Sequence, residues 1–154
     1  MDRKRKIEFA WTLAVVALLA GVLFYSTLLL YQVDALPAHP NEYVDVIGHQ
    51  WFWEFRYSNG TDVNTSYDAN NNSETGGALW VLPGTTVQIN VTSTDVIHSF
   101  NIPGLGVRID AIPGRVNHFA FSVPNVAAGT SYLIQCTEFC GTYHGIMRAF
   151  VVVT

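Results

Sequence analysis

The chain has 154 residues and a formal net charge of −4, which allows one globular domain plus an appendage. The charge is unevenly placed: Arg3, Lys4, Arg5 and Lys6 supply four of the eight basic residues, and from Asp34 onward ten acidic side chains face four arginines and no lysine. Such a surface excludes nucleic acid as a partner and favours a basic protein, met at rates that fall as salt rises.

Residues 9–31 carry no charge and, besides tyrosines, only three hydroxyl side chains, Thr12, Ser26 and Thr27. As a helix they reach about 34 Å, enough to cross a hydrocarbon core of about 30 Å. A cleaved signal peptide shares the basic start, but its apolar stretch is about 7–15 residues long and ends on small residues. The exit here, Gln32-Val33-Asp34-Ala35-Leu36-Pro37, has no such site. The expectation is an uncleaved anchor over residues 1–33 in the lipid of the cell membrane. Its basic tip stays in the cytoplasm, which places a domain of residues 34–154 on the outer face. Ala10, Ala14, Ala17 and Gly21 recur at helical spacing and offer a weak signal for packing against partner helices.

Pro37 and Pro40 punctuate a short linker, and residues 43–57, rich in aromatic and β-branched side chains, read as a long strand or hairpin arm. Residues 58–77 are polar and Asn-rich, which predicts a mobile surface loop. Asn59, Asn64, Asn71 and Asn90 head N-x-[ST] sequons, accessible on an outer face; the sequence leaves their occupancy open. Strand-like runs follow at 79–82, 86–92, 96–102, 116–123, 131–135 and 148–153. Val87, Ile89 and Val91 alternate with Thr86, Gln88, Asn90 and Thr92, the period of a half-buried strand. Pro83-Gly84, Pro103-Gly104, Pro113-Gly114 and Ala128-Gly129 mark turns. With no amphipathic helix after the anchor and no internal repeat, the pattern predicts an all-β sandwich or barrel preceded by one transmembrane helix.

The chemistry concentrates in Cys136-Thr-Glu138-Phe-Cys140-Gly-Thr-Tyr-His144-Gly-Ile-Met147, supported by His98. Two thiolates, two imidazoles and a thioether suit a soft, redox-active metal such as copper. A mononuclear blue-copper site uses one Cys, two His and a weak axial Met. The second cysteine, four positions on, lets both sulfurs bridge two ions. Each ion then keeps one imidazole and one weak ligand, drawn from Met147 and a backbone carbonyl near Glu138. Other readings stand beside this one. Two cysteines in an exported domain form a disulfide by default, a structural zinc site has no use for Met147, and Cys–His nucleophilic catalysis lacks an evident oxyanion donor.

The segment resembles the CuA loop of cytochrome c oxidase subunit II, C-x-E-x-C-G-x-x-H-x-x-M, at every fixed position: Cys136, Glu138, Cys140, Gly141, His144 and Met147. Asp95-Val-Ile-His98-Ser-Phe100 is similar to the strand carrying the family's first histidine ligand. Residues 105–115 (LGVRIDAIPGR) and the aromatic stretch Gly48-His-Gln-Trp51-Phe-Trp53-Glu-Phe-Arg-Tyr57 also resemble family segments.

The resemblance implies a cupredoxin-like Greek-key barrel with two copper ions. His98, Cys136, Cys140, His144 and Met147 would be side-chain ligands, and Glu138 would ligate through its carbonyl. The Glu138 side chain is expected to reach a magnesium ion at the interface with the catalytic subunit. Trp51 matches the residue through which electrons enter; ordinary core packing is the local alternative for Trp51 and Trp53. His39, His49 and His118 match no ligand position.

The family's common form has two membrane helices; this chain shows one, as do some members, including those of the ba3 type. The chain has no C-x-x-C-H haem-attachment motif, so the expected electron donor is a separate protein, a c-type cytochrome or a small blue-copper protein. The function implied is an electron relay to haem in subunit I, the partner where dioxygen is reduced and protons are pumped. A metal-free quinol-oxidase version would lack these ligands, and a free-standing membrane-tethered copper carrier or chaperone would favour exposed, exchangeable ones.

Overall fold

The computed structural model describes residues 2–33, 35–68 and 73–154. The chain divides into two compact units, residues 1–35 and 36–154. The first is a single helix, α1 (Arg3–Val33), with no buried residue. It is apolar all round: Leu18, Leu23, Phe24 and Tyr25 are each at least 66% exposed. A helix of that kind is stable where lipid or protein surrounds it, and α1 is long and apolar enough to cross a membrane.

The second unit is a two-sheet β-sandwich. Its strands are β1 (Glu42–His49), β2 (Phe52–Tyr57), β3 (Asp62–Asp68), β4 (Ser73–Gly76), β5 (Leu79–Val81), β6 (Thr86–Ser93), β7 (His98–Ile102), β8 (Val107–Ala111), β9 (Asn117–Ser122), β10 (Ser131–Cys136) and β11 (Arg148–Val153). One sheet runs β4-β3-β2-β1-β6-β9 and the other β5-β11-β10-β7-β8. Pairs β1/β6 and β11/β5 are parallel; the rest are antiparallel.

Alternation places the core. In β6 every second residue, Val87 to Ser93, is buried, and the inward side chains of both sheets meet around Trp53, Phe55, Ile89, Phe100, Ile134 and Val151. Trp53 stands edge-on to Phe100 at 5.1 Å between ring centroids. Removing a large apolar side chain from water contributes about 1.5–3 kcal/mol, so this aromatic centre is a principal source of stability.

Two stretches depart from the pattern-based expectation. Residues 58–77, expected as a loop, contain β3 and β4; residues 69–72 lie outside the described residues. The strand forms despite its polar composition because Thr65, 2% exposed, hydrogen-bonds both the N–H and the C=O of Trp53, at 3.0 and 3.1 Å. That partner is twelve positions away and leaves no trace in local composition. Residues 107–111, given no strand by the periodicity, pair with β7 from His98↔Ala111 to Ile102↔Val107. The other runs form strands within a few residues of the expected limits, and residues 43–57 form the β1/β2 hairpin.

One end of the sandwich gathers the candidate residues. His98 opens β7 and Cys136 closes β10, and these strands are paired through Cys136↔Phe100. The β10–β11 connection then carries residues 137–147, and the β1/β2 turn supplies Gln50 and Trp51.

Candidate metal centre

The His98 ring is fully buried and is fixed on several sides. A Cβ added to Gly48 would stand 2.9 Å from its Cδ2, so only glycine fits there. Trp53 packs against the ring at 5.9 Å between centroids. Nε2 faces Asp95 Oδ1 at 2.9 Å, and Nδ1 faces Cys136 Sγ at 3.9 Å. A carboxylate on Nε2 holds a proton there and turns Nδ1 towards Cys136, the usual support for an imidazole that binds metal once Nδ1 gives up its own proton. Asp95 is itself held by the N–H groups of Gln50 (2.7 Å) and Val96 (2.6 Å).

The connection between β10 and β11 is pinned by backbone bonds: Cys136 N to Met147 O, Thr137 N to Ser99 O, and His144 N to Gly141 O. A single 3-10 turn, His144–Ile146, precedes β11. Gly141 sits at φ +119, in the left-handed region that favours glycine. These constraints bring Cys136 Sγ and Cys140 Sγ to 3.7 Å. Both cysteines are free, and a disulfide requires about 2.05 Å.

Around the sulfurs the remaining donors fall into two sets. Beside Cys136 stand His98 Nδ1 and, at 3.3 Å, the carbonyl of Glu138. Beside Cys140 stand His144 Nδ1 at 3.5 Å and Met147 Sδ at 3.8 Å. His98, Cys136 and Cys140 alone offer three donor atoms within 4.8 Å of one another, enough to hold a metal ion. His98 and Met147 have no exposure, and Cys136 and Cys140 have 7% and 3%. The centre is therefore largely shielded from water. Thiolate, imidazole and thioether together match a soft metal.

The electrostatics are uneven. Burial opposes the Cys136 thiolate, but hydrogen bonding from His98 and from the backbone at Ser99 and Glu138 holds it down at about 6. Burial and then the neighbouring Cys136 charge push Cys140 up to about 12. Burial would lower the His98 pKa, yet Cys136 and then Asp95 raise it.

Of the candidates named from sequence, His98, Cys136, Cys140, His144, Met147 and the Glu138 carbonyl converge. The Glu138 side chain is exposed and turned to solvent. Trp51, half-buried, donates its indole N–H to Cys140 O at 3.2 Å and meets the exposed Tyr143 edge-on at 4.8 Å. Trp53 is a fully buried core residue. His49 stacks on Phe52 and bonds Glu54 and Thr94, while His39 and His118 are exposed. No local pattern marks Gln50, Asp95 or Gly48. They were visible only as parts of the family-like segments.

The residue range 43–154 matches the family model for the periplasmic domain of cytochrome c oxidase subunit II. Cytochrome c oxidase subunit 2 of Aedes aegypti is 37% identical over 159 residues, covering 94% of this chain and 66% of that protein. The same subunit of Periplaneta americana is 37% identical over 153 residues, covering 92% and 64%. The chain thus spans less than two thirds of the length of these relatives. The crystal structure of the periplasmic domain of cytochrome oxidase subunit II from Bradyrhizobium japonicum aligns with a TM-score of 0.69 and 27% identity, over 77% of this chain and 88% of that one.

Proposed function

We propose that this chain, which belongs to the cytochrome c oxidase subunit II family, is the electron-relay subunit of a haem–copper terminal oxidase. The observation that carries the reading is the pair of free sulfurs 3.7 Å apart, each with its own imidazole: His98 beside Cys136 and His144 beside Cys140. A disulfide or a single tetrahedral zinc gives no account of two such sets, each with a further weak donor.

In this reading Cys136 and Cys140 would together hold two copper ions. His98 with the Glu138 carbonyl would complete one donor set, and His144 with Met147 would complete the other. When bound, a copper pair would supply a one-electron store with the charge shared over both metals. The chain's own residues do the rest. Asp95 keeps His98 in the tautomer that presents Nδ1. The backbone bonds of residues 136–147 fix the donors, so little rearrangement accompanies a change of charge. Burial of Met147 and both cysteines excludes water.

Trp51 is the electron entry point in this reading: its indole N–H bonds the carbonyl of Cys140, so one hydrogen bond separates the ring from a residue that would hold the metal. The donor is a separate c-type cytochrome or small blue-copper protein, drawn by the acidic excess of residues 34–154. The exposed Glu138 carboxylate is free to bind magnesium at the interface with catalytic subunit I, where dioxygen is reduced and protons are pumped. α1 anchors the chain in the plasma membrane, with its basic tip cytoplasmic.

Copper content and electron paramagnetic resonance of the full chain, loaded under reducing conditions and reoxidised, test the reading. Two coppers per chain and one unpaired electron shared equally between them are expected. One copper with a mononuclear spectrum would overturn it.

A further inference from the structure

At the head of the β1/β2 hairpin, Gln50 makes hydrogen bonds in two directions. Its backbone N–H donates to Asp95 Oδ2 at 2.7 Å, and the other oxygen of that carboxylate holds His98 Nε2. Its side-chain Nε2 donates to Cys140 O at 2.7 Å. The Trp51 indole donates to the same oxygen at a longer 3.2 Å. A carbonyl oxygen has two lone pairs and accepts both donors.

The fit is tight on the far side as well. A Cβ on Gly141 would lie 2.9 Å from Gln50 Nε2 and 3.2 Å from both Trp51 Nε1 and Cζ2. The backbone at Gly141 is therefore shaped around these two side chains. Gln50 is itself exposed, so core packing does not explain where its amide points.

We propose that Gln50 is a positioning residue that holds the Cys140 carbonyl and the Trp51 indole in hydrogen-bonded register while tying the same turn to the carboxylate behind His98. This rests on the copper-centre reading for its effect on electron uptake, but the clamp itself exists without metal. One residue thereby joins the two halves of the donor set, which come from β7 and from the β10–β11 connection. The side chain has to be a donor of this length. Asparagine is one methylene short, leucine has no donor, and glutamate sets an acceptor against an acceptor.

Two measurements on the full-length chain test this. In the metal-free protein, hydrogen exchange at the Trp51 indole N–H is followed by NMR in Gln50→Leu and Gln50→Asn. Both variants are expected to exchange roughly five- to tenfold faster at Trp51, the factor given by one hydrogen bond of about 1 kcal/mol, with Trp53 unchanged. In the copper-loaded protein, electron uptake from a photoexcited ruthenium reductant is expected to slow by a similar factor with two coppers retained. On a Trp51→Phe background, Gln50→Leu is expected to add nothing further. Unchanged Trp51 exchange in both variants overturns the clamp, and so does a slowing that adds in full to Trp51→Phe. Failure to bind a copper pair overturns the functional reading instead, while the exchange result in metal-free protein stands alone.

Discussion

Asp95 and His98 form an oriented pair: a carboxylate oxygen lies 2.9 Å from Nε2, and the opposite ring nitrogen points at Cys136. The carboxylate pKa is lowered: burial works against its charge, but the His98 hydrogen bond and the N–H groups of Val96 and Gln50 outweigh burial. The geometry sets which nitrogen faces the sulfurs before any metal arrives. Asp95→Asn keeps the shape and loses the charge. Metal affinity, measured by competition with a chromophoric chelator, is expected to fall about 10- to 100-fold. An unchanged affinity would show that Asp95 does not control the tautomer.

The two thiols predict a split titration in the metal-free, reduced protein. Thiolate absorbance in the ultraviolet should correspond to one group at pH 7.5, disappear as pH falls through about 6, and gain the second group only towards pH 12. The sign follows from the shifts. A Cys136 pKa depressed from 9.0 adds folded-state stability that is complete above pH 9 and lost as pH falls to about 6. A Cys140 pKa raised from 9.0 adds stability below pH 9 that is lost as pH rises towards 12. Cys136→Ser should remove the first dependence and let Cys140 ionise at lower pH. Two thiols titrating together near pH 9 would contradict the arrangement.

Gly48 has no room for a side chain. In Gly48→Ala the new methyl meets His98 Cδ2 at 2.9 Å and Trp53 Cζ3 at 3.3 Å. Both rings are buried, so neither yields without repacking. A loss of about 1–3 kcal/mol is expected in urea unfolding of the metal-free chain, together with weaker metal binding. A variant as stable as the parent would mean that the His98 ring has freedom the packing does not suggest.

Trp51→Phe removes the indole N–H that bonds Cys140 O and leaves every donor atom in place. Electron uptake from an external protein donor is expected to fall at least about tenfold, the factor for 1.4 kcal/mol of barrier. Copper content and the optical spectrum should not change. Stopped-flow mixing with a reduced c-type cytochrome reads the rate. A normal rate would return Trp51 to a packing role.

The sequence by itself settled what is covalently local. The uncharged run of α1, the period-two alternation of β6, and five donor-bearing positions within twelve residues are written close together in the chain, and none depends on how the chain returns on itself. The choice between a disulfide and an open thiol pair was different. Four positions of separation permit either, and only the folded connection, with its backbone bonds to Met147, Ser99 and Gly141, shows the sulfurs apart at 3.7 Å.

Partners distant in the chain were likewise invisible locally. His98 reaches Cys136 across 38 positions, Gln50 reaches Cys140 across 90, and Thr65 secures a strand that polar composition had marked as loop. Hydrogen bonds and packing between remote segments exist only once both sheets close on a shared core, because only then does burial remove the water that would otherwise satisfy those same groups.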